Sequence, residues 1–167
     1  MDSSDIGRQA SVEGFAHEHI VVGLLMKKYQ NVSLVDLPLS PYDIIIVRKL
    51  SNGSEDIIRA QVKTSKKCIN FTGGTRGGVD REYKSNVKTY IQSPETSDVI
   101  VGLNPLKDGS FDMYFIPTVL IKRLGTKSKS IKSMELFKNN YEMLENCKNE
   151  EFIIQRCNDS GFKLYEV

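Results

Sequence analysis

The sequence predicts an α/β fold in which a mixed β-sheet is flanked by helices. Three observations predict it. An apolar pattern at steps of three and four opens the chain, three short β-branched or alternating segments follow, and a second pair of strand-like segments comes after a glycine-rich break. The chain has 167 residues, 40% hydrophobic and 26% charged, which suits one domain that buries its own core without disulfide or metal staples.

The first element is a helix over residues 11–29, where Val12, Phe15, Ala16, His19, Ile20, Gly23 and Leu24 recur at helical spacing and Ser11 offers an N-cap. A strand over 31–37 follows, ended by Pro38 and Pro41. Residues 42–50 (YDIIIVRKL) and 57–64 (IIRAQVKT) are strands rich in β-branched residues, and Ser51-Asn52-Gly53-Ser54 between them is a hairpin turn. A glycine-rich loop at 72–78 leads to a short helix at 81–90. Strands are expected at 98–103 and 111–116, with Pro105 and Gly109 marking their turn. Residues 131–147 have helical character and 152–156 read as a last strand.

Composition narrows the function classes. The three cysteines, Cys68, Cys147 and Cys157, form no CxxC pair, which argues against a disulfide framework or structural zinc and for reduced thiols in a cytoplasmic protein. The N-terminus has no apolar stretch, so no secretory signal is expected. The longest apolar run, 20–26, falls well short of the roughly 20 residues a membrane span needs. Net charge is only +2, yet residues 59–88 hold eight Lys/Arg against two acids, and 122–138 hold six against Glu135. Two basic stretches on a near-neutral chain suit a protein that meets a polyanion on one side.

The strand 57–64 carries a chemical signal. Alternation puts Gln61 and Lys63 on one face and Ile58, Ala60 and Val62 on the other, which belongs to the core. Asp43 begins the preceding strand. A strict two-residue Asn-Gly turn would pair it with Val62 and aim it into the apolar face. A three-residue turn or a bulge moves the register by one and brings Asp43 level with Gln61 or Lys63, and this is the register expected here. A carboxylate, an amide and an ammonium then converge. Mg²⁺ takes hard oxygen ligands and keeps several waters, so Asp43, the Gln61 amide oxygen and the Val62 carbonyl are candidate ligands, with Mn²⁺ as the alternative ion. Lys63 is the candidate to orient or deprotonate water and to offset phosphate charge.

Ser40-Pro41-Tyr42-Asp43 followed by Gln61-Val62-Lys63-Thr64-Ser65 resembles the PD-(D/E)XK nucleases, most of all the small group I intron homing endonucleases and related type II restriction enzymes. The resemblance covers about residues 7–117, with 118–167 as an unmatched extension of a single domain. It implies a restriction-endonuclease-like sheet with an αβββαβ core. It also implies a helix carboxylate in the site, carried over to Glu18, with Glu13 as its rival about 140° away around the helix. Gln61 replaces the usual acid.

The implied activity is Mg²⁺-dependent, site-specific cleavage of double-stranded DNA. One site per chain then calls for a homodimer or homotetramer to cut both strands. The alternatives are a Holliday-junction or repair nuclease and a catalytically inactive DNA-binding module of the same fold. Candidate DNA contacts are Thr64, Ser65 and Lys66 directly after Lys63, Arg76 in the glycine-rich loop, and Arg81, Lys84 and Lys88 beyond it. His17 and His19 sit two apart on the helix, a poor metal pair, and are read as structural; Tyr83 and Tyr90 are read as packing residues.

Overall fold

The computed structural model describes residues 3–37, 40–74 and 89–166. Helix α1 runs Ser3–Met26, eight residues earlier than its pattern suggests. Residues 5–12 are all exposed, so no apolar stripe marks those turns. Ser11 lies inside the helix, where its hydroxyl donates to the Gly7 carbonyl at 3.1 Å instead of capping the start. The buried positions His17, Val21 and Leu25 recur every four residues, followed by Tyr29, whose amide bonds back to Leu25 O at 2.8 Å.

A five-stranded mixed sheet forms the centre, in the order β1 (Asn31–Leu34), β2 (Ile44–Lys49), β3 (Glu55–Thr64), β7 (Val99–Pro105) and β8 (Phe111–Pro117). β1, β2 and β3 are antiparallel neighbours, β3 and β7 are parallel, and β7 and β8 are antiparallel. The parallel step needs a crossover. It carries β4 (Cys68–Asn70), β5 (Thr72–Gly73) and β6 (Tyr90–Ile91). The helix expected over 81–90 lies outside the described residues except at its end, where Tyr90 is in a strand paired with Gly73.

Ile44, Ile46, Ile58 and Ala60 are fully buried on one face of the hairpin, continuous with Val99, Val101 and Phe115. Each fully buried isoleucine contributes about 1.5–3 kcal/mol relative to exposure. β7 is buried on both faces, as a central strand with a parallel partner should be, which is why its sequence is a continuous apolar run.

Beyond β8 the chain departs from expectation. A short helix α2 (Ile121–Leu124) and strand β9 (Ser128–Ser130) lead to two 3₁₀ turns and a five-residue helix α3 (Tyr141–Glu145), where one long helix was expected over 131–147. The segment expected as a last strand is helix α4 (Glu150–Asp159). Asn149 caps it by accepting from Phe152 N at 3.1 Å, and Ile153 and Cys157 bury one face at a spacing of four. Cys147 and Cys157 are buried free thiols and Cys68 is an exposed one. Among the described residues no helix is long and apolar enough to cross a membrane.

The β2–β3 loop fixes the register. Leu50 N donates to Ser54 O at 2.8 Å and Gly53 N to Leu50 O at 2.9 Å, which leaves Ser51, Asn52 and Gly53 as a three-residue loop. Gly53 takes the left-handed position, φ +82°, that such loops require. Asn52 Oδ1 accepts from Ser54 N and Oγ, bracing the turn. Ile44 therefore faces Ala60, one step from the pairing a two-residue turn would give. Gly53→Ala is expected to destabilise the protein by about 1–2 kcal/mol, the cost of a left-handed Cβ. Urea unfolding would show it as a lower midpoint with an unchanged slope; an unchanged midpoint would mean that the loop does not strain at this position.

Candidate active site

Asp43 sits one pair beyond Ile44. Its amide donates to Ala60 O at 2.9 Å, the residue that Ile44 faces, its carbonyl accepts from Val35 N at 2.8 Å, and its side chain meets that of Gln61. This is the shifted register, and it turns Asp43 away from the apolar face. Asp43 Oδ2 accepts from Val62 N at 2.7 Å and from Gln61 Nε2. The Gln61 nitrogen also reaches Val62 O at 3.3 Å, while its oxygen accepts from Gln92 Nε2 at 3.3 Å.

Lys63 follows two residues on, half-buried and on the same face of β3 as Gln61. Burial pushes its ammonium below the usual lysine range, and the carboxylates of Asp43 and Glu18 pull it partly back. Glu18 on α1 closes the group. Burial and the neighbouring Asp43 charge push its carboxyl up to about 7, against smaller opposing effects of His19 and Lys63. Glu13 does not compete: it pairs with Lys66 at 2.9 Å, and that partner lowers its carboxyl. The helix carboxylate electrostatically coupled to Asp43 and Lys63 is Glu18.

Two carboxylates, an amide and a lysine thus share one end of the hairpin. Among the described residues there is no group of three or more His, Cys, Asp and Glu side chains fit to hold a metal. Asp43 and Glu18 are the carboxylates here that could hold a magnesium ion, which commonly takes one or two carboxylates and keeps its remaining waters. The mutual repulsion that raises Glu18 is also what a cation would relieve.

No protein-family model, curated protein or solved structure matches this chain. Functional assignment therefore rests on the chemistry of the site itself.

The other sequence candidates divide. Thr64 is exposed and shares a 2.7 Å hydrogen bond with His17, which is buried and edge-on to Phe111. His19 is exposed and bonded to Phe15 O within its own helix, so neither histidine faces the site as a ligand pair. Lys66 is exposed beyond the strand end. Ser65 corrects the expectation of a phosphate contact: it is fully buried, its hydroxyl donates to Lys63 O at 3.2 Å, and it packs against Gly102. Arg76, Arg81, Lys84 and Lys88 lie outside the described residues.

Sequence reasoning missed two neighbours of the site and one arrangement. Gln92, 1% exposed, reaches Gln61 from the segment after β6. Tyr90 is close enough to Asp43 for that charge to raise its phenol, after burial as the larger cause. The arrangement is the β4–β9 ribbon, which pairs Ile69 with Lys129 and bonds Ile131 N to Lys67 O at 3.0 Å. It lays the second basic stretch beside the first. A cleft of about 600 Å³ borders Gln92 and is lined in part by Ile91, Val119, Lys122, Lys127 and Glu150.

Glu18 carries a measurable signature. Its folded-state pKa of about 7 lies above the 4.5 of an unperturbed glutamate, so the folded state holds the proton more tightly. Stability is then greatest below that lower value and declines as pH rises to about 7. Glu18→Gln removes the decline. The variant is expected to melt above wild type at pH 8 and to converge with it near pH 4.5; equal melting curves at pH 8 would show that Glu18 feels no such penalty.

Proposed function

We propose that this chain is a PD-(D/E)XK-type endonuclease that hydrolyses phosphodiester bonds in double-stranded DNA with Mg²⁺. The observation that carries this reading is the register of one hairpin. The three-residue loop places Ile44 against Ala60, the side chain of the preceding Asp43 meets that of Gln61, Lys63 follows two residues on along the Gln61 face, and Glu18 is coupled to both Asp43 and Lys63 by charge. The five-stranded mixed sheet between helices is compatible with a restriction-endonuclease-like core, and residues 118–166 extend it with the second basic stretch.

Asp43 and Glu18 would hold the cation, which when bound acidifies water and steadies the charge that develops on the phosphoryl oxygens. Lys63 Nζ, pushed toward neutrality by burial, is suited to take a proton from attacking water or to hold that water in line. In its charged form it offsets phosphate charge. Val62 N and Gln61 Nε2 fix the Asp43 carboxylate, so that little reorganisation is needed when the substrate arrives. Lys66, Lys67, Lys129 and Lys132 lie around the β4–β9 ribbon and would meet backbone phosphates. With one such site per chain, double-strand cleavage calls for two subunits.

A second reading, an inactive DNA-binding module of the same fold, has one observation in its favour. The site offers an amide where an acid is usual, and that amide donates to Asp43 instead of adding negative charge. Nicking of supercoiled plasmid in Mg²⁺ separates the two. Wild type is expected to nick, and Asp43→Ala and Lys63→Ala to slow nicking about 100-fold or more, the scale of a group acting in the transition state. Equal rates for all three proteins would remove catalysis from this site.

A further inference from the structure

The side chain of Gln92 is almost wholly buried, comes from outside the hairpin, and ends on Gln61. Its surroundings fix which end of its amide is nitrogen. The Pro41 carbonyl can only accept, and it lies 3.4 Å from one end; that end must be the NH₂ group. The other end accepts from the Ser97 hydroxyl at 2.9 Å and the Thr96 hydroxyl at 2.5 Å. Gln92 therefore shows nitrogen to Gln61, so Gln61 must answer with oxygen. The opposite end of Gln61, its nitrogen, is then turned to the Asp43 carboxylate, which as an anion only accepts.

Gln92 is held in place in turn. Thr96 and Ser97 stand in the tight turn before β7, where both Thr96 N and Ser97 N bond to Ser93 O. Arg59 locks that turn to β3 by donating to Pro94 O at 2.6 Å and Asp98 Oδ1 at 2.8 Å. On the other side, a Cβ on Gly73 would lie 2.7 Å from the Tyr90 ring and 2.9 Å from Gln92 Nε2. Only glycine lets β5 approach this closely.

We propose that Gln92 is the positioning residue of the site: it orients the Gln61 amide so that Gln61 braces Asp43 through its nitrogen and withholds its oxygen from the cation. The inference rests on the nuclease reading for its consequence, but the amide orientation stands apart from it. The divalent ion is then left to Asp43 and Glu18, and glutamine at position 61 serves as a donor that an acid could not replace. A chain with an acid there could still accept from Gln92 but would lose the donor to Asp43 and set two carboxylates against each other at positions 43 and 61.

Three measurements on the full chain test this. In ¹⁵N NMR without metal, the Gln61 and Gln92 side-chain NH₂ groups of wild type should exchange slowly with solvent. Gln92→Leu should release the Gln61 amide to fast exchange. It should also lower kcat for plasmid nicking about tenfold, the scale of one lost hydrogen bond, with KM for DNA unchanged because no DNA contact is touched. Gly73→Ala displaces Gln92 while leaving every hydrogen-bonding group in the chain, so it gives the same result, smaller in size, if Gln92→Leu does not fold. Unchanged Gln61 exchange in both variants would overturn the proposal, whereas tighter Mn²⁺ binding by Gln92→Leu would support it, because the Gln61 oxygen that Gln92 withholds would then be free to reach the ion. Should no protein nick DNA, the nuclease reading fails while the exchange data still decide the role of Gln92.

Discussion

A loop of three residues between β2 and β3 governs the side of the sheet on which every polar group of the hairpin lies. With Gly53 in the left-handed conformation, Ile44 meets Ala60, and the side chain of the preceding Asp43 meets that of Gln61. Side chains alternate strictly along a strand, so removing one loop residue would exchange the faces. The isoleucines would turn outward and the carboxylate inward. The fold and the site are therefore selected by one geometric condition. The burial of Ile44, Ile46 and Ile58 supplies the energy that holds Asp43, Gln61 and Lys63 together on the opposite face.

That grouping opposes stability. Glu18 and Asp43 repel across a half-buried space, and burial costs Lys63 hydration that their charges only partly restore. Such opposed shifts are common where chemistry is done, because burial that weakens a folded state also tunes acids and bases. The rest of the polar network offsets the strain with satisfied hydrogen bonds. Among the described residues every buried side-chain nitrogen and oxygen has a partner. The Arg59–Asp98 pair ties the β6–β7 turn to β3, and through that turn Gln92 meets Gln61.

Much of this was legible in the amino-acid order. β-branched runs located β2, β3 and β7, Asn52-Gly53 located the hairpin, and the parity of residues 58–63 separated core from site. Glu18 could be carried over only by resemblance; the ion pair of Glu13 with Lys66 and the charge coupling of Glu18 to Asp43 separated the two carboxylates. What failed did so for physical reasons. α1 extends over exposed turns that bury no stripe and so leave no period. Residues 131–147 have helical composition but break into short turns around Phe137 and Tyr141, which pack on Phe162 and Phe115 and not along one helical face. α4 reads as a strand because its apolar residues are few and adjacent, whereas the Asn149 cap before it is the local signal of a helix. Tyr90 in β6 and Gln92 just after it stand two residues apart, but nothing local shows that they reach the site of Asp43 and Gln61. That contact is tertiary, made possible by Gly73.

The proposed nuclease activity requires a divalent cation at the Asp43 end of the hairpin. Crystals of the protein with duplex DNA and Mn²⁺, measured at the manganese edge, test this directly. The account predicts an anomalous peak at ligand distance from the carboxylates of Asp43 and Glu18. A bound duplex with manganese only at other positions would contradict it.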